Sequence, residues 1–141
     1  MGADIWMFIE HKNSETNKWN LVKNSEWSHN MVPIDRNSGL FHILCGYNKK
    51  DFGDLSVICE CKDLPLDISK ETSFWLEDLA YTSYLSLEEL QNFDWDKEVY
   101  YFEEDCKHSE IAGKFFTEII PYMRSIDMNP QNVRIVFGLS L

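Results

Sequence analysis

Three arginines, Arg36, Arg124 and Arg134, are the only guanidinium groups in the chain. Guanidinium forks match phosphate oxygens better than lysine does. These three could hold a phosphate-bearing ligand, or they could form ordinary ion pairs in an acid-rich protein. Neither Gly-x-x-x-x-Gly-Lys nor Gly-x-Gly-x-x-Gly occurs among the six glycines, so no dinucleotide cradle is expected. His42 and Cys45 stand three apart, Cys106 and His108 two apart, and Cys59 and Cys61 two apart. Zinc needs four converging ligands, and these spacings match no standard zinc pattern. Neither a metal nor another cofactor is expected. Ser83 and Cys45 lack the local signatures of an activated nucleophile. The four cysteines read as reduced thiols, as in a cytoplasmic protein.

A different pattern is more pronounced. From Glu88 to Glu110 nine acids occur, against only Lys97 and Lys107, and Phe93, Trp95, Tyr100, Tyr101 and Phe102 lie among them. Such a run is usually a solvated face. Interleaved aromatics give it the character of a binding surface for a basic protein. Asp94, Trp95, Asp96, Glu98, Tyr100, Tyr101, Glu103, Glu104 and Asp105 are the candidate contact residues.

The secondary structure around these groups can be read from composition and periodicity. The 141 residues carry 13 Lys+Arg and 24 Asp+Glu, for a net charge of −11. That balance argues against direct binding to nucleic acid or to an anionic membrane. An acidic face can still compete with nucleic acid for a basic partner. The length fits one domain over 1–141, and no apolar run approaches a membrane span. Residues 4–10 alternate with apolar side chains on both faces, which predicts a central strand. Further strands are predicted over 18–22, 55–61, 99–102 and 133–139. Asp35 is placed to cap a short helix that stops at Gly46, and Asp67 or Ser69 to cap another. Ser86 and Glu89 have capping-box spacing ahead of a helix over 87–92. A longer helix is predicted over 109–126, kinked or cut short at Pro121. The sum is an α+β fold, an approximately five-stranded, mainly antiparallel sheet with two or three helices on one face. The apolar end Val136–Leu141 predicts an open strand edge, and with it a homodimer or higher homo-oligomer.

Several short segments resemble one group of small phage and prophage proteins. These segments are Met1-Gly2-Ala3-Asp4-Ile5, Arg36-Asn37 with Leu40-Phe41, Leu64-Pro65-Leu66-Asp67-Ile68-Ser69, Ser83-Tyr84-Leu85-Ser86-Leu87, and Val133-Arg134-Ile135-Val136-Phe137. The group begins Met-Gly-(Cys/Ala)-Asp-Ile-His, and the likeness extends along nearly the whole chain. It implies a phage-type accessory protein and a polar pocket. Where the group has His, this chain has Trp6 and Ala80, and Gly39 replaces an Asp. Losing two histidines removes the obvious proton-transfer groups and tilts the reading toward binding. The ligand pocket implied is Asp4, Trp6, Arg36, Asp67, Ser83, Tyr84 and Arg134, with Trp6 able to stack on a ring.

Three functions are therefore expected in order. The first is a binding protein, acting in the host cytoplasm, that counteracts a host defence system. It would do so by blocking a basic host protein or by sequestering a nucleotide-like molecule. The second is a small hydrolase or lyase on a nucleotide-like substrate, which would need Asp4, Glu10, Asp67 and Ser83 to converge, with His42 as an optional further member. The third is a structural or assembly module.

Overall fold

A computed structural model describes residues 2–141; Met1, the first residue of the Met-Gly opening, lies outside them. Strand β1 (Asp4–Lys12) runs between β2 (Trp19–Leu21) and β6 (Val133–Ser140), and β3 (Ala80–Ser86) completes an antiparallel sheet in the order β2-β1-β6-β3. A separate hairpin is formed by β4 (Glu98–Tyr101) and β5 (Glu104–Lys107). The chain is thus α+β, with four strands in the main sheet rather than five. Residues 55–61 stay out of it, although their β-branched residues favour a strand. Within this segment the Ile58 N–H donates to the Ile43 carbonyl, on helix α1 (Ser38–Cys45). The place at the sheet edge goes to β3, where no strand is predicted.

Alternation along β1 and β6 makes both faces of the sheet apolar. Ile5, Met7 and Ile9 lie with Ile135, Phe137 and Leu139 on the larger core. Leu40, Phe41, Ile43 and Leu44 of α1, and Leu87 and Leu90 of α4 (Leu87–Asn92), cover that side. Phe8 and Val136 form the opposite face with Leu76 of α3 (Lys70–Leu76), which packs there rather than with the other helices. Trp75 of α3 stacks on Trp6 and Phe8 at 6.2 and 6.3 Å between ring centres.

The caps agree in part with the sequence. Ser86 and Glu89 form the reciprocal box, Ser69 caps α3, and Gly46 ends α1 at φ +80°. The cap of α1 is Asn37, not Asp35. Its side-chain oxygen accepts from Leu40 N–H at 3.0 Å, while its amide donates to the Ile111 carbonyl at 2.8 Å. The long C-terminal helix is divided. Gly113, at φ +56° and ψ −125°, ends α5 (His108–Ala112) in a backbone region open to glycine. Phe115–Ile119 then forms a wider π-turn that runs directly into α6 (Ile120–Arg124), so the helical run continues past Pro121.

The C-terminal strand is central, hydrogen-bonded to β1 on one side and β3 on the other. Val133 to Leu139 are all buried. The open edge expected there is absent, and with it the ground for a homo-oligomer through that strand.

Candidate functional site

The residues implied as one ligand pocket lie in two places. Arg36 pairs through two bonds of 3.1 Å with Asp4, at the start of β1. Its guanidinium holds the Asp4 carboxyl below the usual carboxylate range. Arg134 sits opposite Glu10, near the other end of the same strand. Six residue steps along the extended strand separate Asp4 from Glu10, about 20 Å. The two arginines therefore do not share a pocket.

Around Arg134 every guanidinium nitrogen is used. Its Nε and Nη2 donate to Glu10 Oε1 at 3.0 and 2.7 Å, and Nη1 donates to Asp67 Oδ1 at 3.0 Å. The other Glu10 oxygen accepts the Ser69 N–H at 3.0 Å, at the cap of α3. The Trp19 ring lies 3.9 Å from the guanidinium carbon and the Tyr84 ring 5.5 Å. Glu10 and Arg134 are buried, which is tolerable because each is paired and hydrogen-bonded. This cluster fastens the α3 start to the centre of the sheet. Ser83 is also buried, and its hydroxyl accepts the Lys62 N–H at 2.9 Å. The Lys62 ammonium lies 4.3 Å from the Tyr84 ring and bonds Glu89 at 3.0 Å.

The groups that the hydrolase reading requires do not converge. Glu10 and Asp67 are both held by Arg134, Asp4 is at the far end of β1, and His42 Nδ1 bonds the Tyr47 carbonyl at 2.7 Å. His108 is built into the fold too. Its Nδ1–H donates to the Lys97 carbonyl at 2.7 Å, and its Nε2 accepts the Ser56 N–H at 3.0 Å. That geometry selects the neutral tautomer protonated at Nδ1. Burial pushes the Cys45 thiol up, away from the thiolate a nucleophile or metal ligand needs. Among the described residues no three His, Cys, Asp or Glu side chains gather as a metal site.

The acidic run takes a definite shape. Two residues, Phe102 and Glu103, join β4 to β5, pairing Tyr101 with Glu104 and Tyr100 with Asp105. Both turn residues have positive φ, +48° and +67°. A two-residue hairpin needs that geometry, which Asn and Gly supply more cheaply. Val99, Tyr101 and Cys106 face the main core, and the Tyr101 ring lies over Gly39 of α1. A Cβ at Gly39 would come within 2.5 Å of the Tyr101 hydroxyl, so the glycine lets the hairpin dock. Burial raises the Tyr101 phenol above its ordinary pKa, so it stays protonated.

The other side of the hairpin is open. Tyr100 is 66% and Phe102 77% exposed, and Asp94, Asp96, Glu98, Glu103, Glu104 and Asp105 are exposed around them. Asp96 lies 3.8 Å from Lys107, whereas Glu98, Glu103, Glu104 and Asp105 take part in no ion pair among the described residues. Trp95 does not belong to this face. Its side chain is buried and its indole N–H donates to the Leu90 carbonyl at 2.7 Å. Three residues distant in sequence adjoin the hairpin instead. Asp51 and Phe52 of helix α2 (Lys49–Phe52), with Asp54 just beyond it, line a cavity with Tyr100, Tyr101 and Phe102. The Asp-Phe-Gly-Asp sequence, an aromatic inside an acidic turn, is the one signal that could have marked them.

No family model, curated protein or solved structure matches the chain. No helix among the described residues is long and apolar enough to cross a membrane.

Proposed function

We propose that the protein is a binding protein whose β4–β5 hairpin captures a basic protein partner. The observation that carries this reading is the juxtaposition of four unpaired carboxylates with two large exposed aromatics, Tyr100 and Phe102, on one hairpin. Aromatics exposed beside like charge provide apolar contact area, and the charge sets orientation and encounter rate. The likeness to phage proteins supports a host protein as the partner, one that belongs to a defence system. Blocking is stoichiometric in this reading and needs no catalytic constellation.

The test is affinity purification of the tagged protein from its native host, compared with the variant Glu103→Lys/Glu104→Lys/Asp105→Lys, with bound proteins identified by mass spectrometry. A basic protein retained by the native chain and lost from the variant is expected. Retention of the same protein by both would overturn the reading. Recovery only of neutral or acidic partners would favour an assembly module.

A further inference from the structure

The cavity between α2 and the hairpin is small and lined by aromatic rings, Leu55 and two carboxylates. Its volume is about 140 Å³, well below the ~300–1,000 Å³ typical of small-molecule sites. A nucleotide-like ligand would not be enclosed there. Tyr101 stands between two other rings, Phe52 at 6.2 Å and Phe102 at 4.5 Å between centres. Two carboxylates, Asp51 and Asp54, line the same cavity. One Asp51 oxygen accepts from the Asn48 amide at 3.1 Å, while the Asp54 side chain has no hydrogen-bond partner among the described residues.

Aromatic faces beside carboxylates select a cation, because the negative ring face and the carboxylate attract the same charge. Of the two long cationic side chains, arginine fits better. Its planar group stacks on a ring and forks to a carboxylate at once, and it sheds water more easily than an ammonium. The cavity opens beside Phe102, whose ring is exposed while meeting the Tyr101 ring at 65°. The unpaired acids Glu103 and Glu104 lie next along the chain.

The geometry points to an arginine-binding pocket formed by Phe52, Tyr101, Phe102, Asp51 and Asp54, which takes an arginine side chain from the basic partner protein. This inference rests on the reading of the hairpin as the partner-binding face, and it goes further by naming the residue type that is recognised. The hairpin acids attract any basic segment; the pocket distinguishes arginine from lysine within it.

Two synthetic peptides of equal length and charge, one of Arg-Gly and one of Lys-Gly repeats, test it by titration at physiological ionic strength. The native protein is expected to bind the arginine peptide about fivefold more tightly, the scale of one cation–π contact backed by a carboxylate. Phe102→Ala and Asp54→Asn should each bring the arginine peptide down to the level of the lysine peptide, which should change little. Both altered positions are exposed, so the fold should survive, and thermal denaturation checks it. The charge-reversed variant should weaken both peptides alike. Equal affinity for the two peptides, or an arginine preference that persists in both pocket variants, would overturn the pocket while leaving the acidic hairpin reading intact. No measurable binding of either peptide would overturn both.

Discussion

In the Arg134 cluster, a guanidinium, one buried carboxylate (Glu10), one exposed carboxylate (Asp67) and two aromatic rings contact one another. At the hairpin, carboxylates and aromatic rings of the same kinds stay open to solvent. The difference lies in where the sheet puts them. Arg134 and Glu10 are cross-strand neighbours on two central strands, and α3 covers their face. A charge there must find its counter-charge inside the protein. The hairpin is a separate two-stranded ribbon with one side on the core, so its outward residues have no internal partner to meet. Residue type alone therefore does not mark a binding site. What marks it is chemistry left unsatisfied by the fold.

Removing a member of the closed cluster should produce the largest effect. Arg134→Ala leaves Glu10 buried without its counter-charge, which should cost about 3–5 kcal/mol. For a chain of this size that corresponds to a fall of roughly 10–17 °C in Tm. Replacing both partners, Glu10→Leu with Arg134→Met, should cost less than either single change, since no uncompensated buried charge remains and Asp67 is exposed. Denaturant unfolding of Arg134→Ala, the two single changes and the double variant measures this. If Arg134→Ala unfolds like the native protein, the cluster is not a closed structural unit and Arg134 becomes free for a ligand.

Gly39→Ala addresses the contact between the two parts of the molecule. The new methyl group would meet the Tyr101 hydroxyl at 2.5 Å and Ile111 at 2.9 Å. Overpacking of this kind costs about 1–3 kcal/mol. The strain should be relieved by lifting the hairpin, so amides of 98–107 should exchange hydrogen faster while those of β1 and β6 keep their protection. Equal loss of protection in both regions would mean that the hairpin and the sheet unfold as one unit.

Much of the closed region is legible in the sequence, and little of the open one. The two-faced apolar pattern of β1 and the Ser86–Glu89 box read directly, because each rests on local periodicity or spacing. The Leu55–Cys61 segment has strand composition yet pairs with no strand, since β preference needs a vacant edge and β3 takes it. The acidity of the hairpin is legible as a count. Its geometry is not, because Trp95 turns inward on a bond to Leu90, and Asp51, Phe52 and Asp54 arrive through tertiary packing. The two arginines could be named from sequence, but only the register of β1 with β6 decides that they lie far apart.

Acid sharpens the contrast in another way. Asp127 is held below its ordinary value of 3.8, first by the Asn129 N–H and then by His11, and Asp4 is held there by Arg36. A carboxylate with a depressed folded pKa stabilises the fold above its unfolded pKa, and that contribution is lost as pH falls through the folded value. Stability should therefore decline below about pH 4, with the decline beginning at these paired carboxylates. Asp127→Asn keeps an acceptor for the Asn129 N–H but removes the titration, so its loss of stability on acidification should be shallower. An acid limb identical to that of the native protein would remove Asp127 as a source of the decline.

The smallest expected effect lies at the hairpin tip, and its sign is informative. Phe102 and Glu103 hold positive φ without being glycine or asparagine, whereas no residue of the Arg134 cluster does so. Left-handed backbone costs an ordinary residue roughly 1–2 kcal/mol. Phe102→Asn/Glu103→Gly supplies the preferred turn pair, at the expense of extra unfolded-state freedom at the new glycine. The net effect should be a small gain in stability, read as a small rise in Tm. The same variant removes one ring of the cavity and one open carboxylate, so it should capture the basic partner less well. A tip that becomes more stable as it binds less would mean that strain is kept there for binding. A tip that loses stability on this change would mean that Phe102 and Glu103 are held by packing instead. The open region would then be as structurally determined as the closed one.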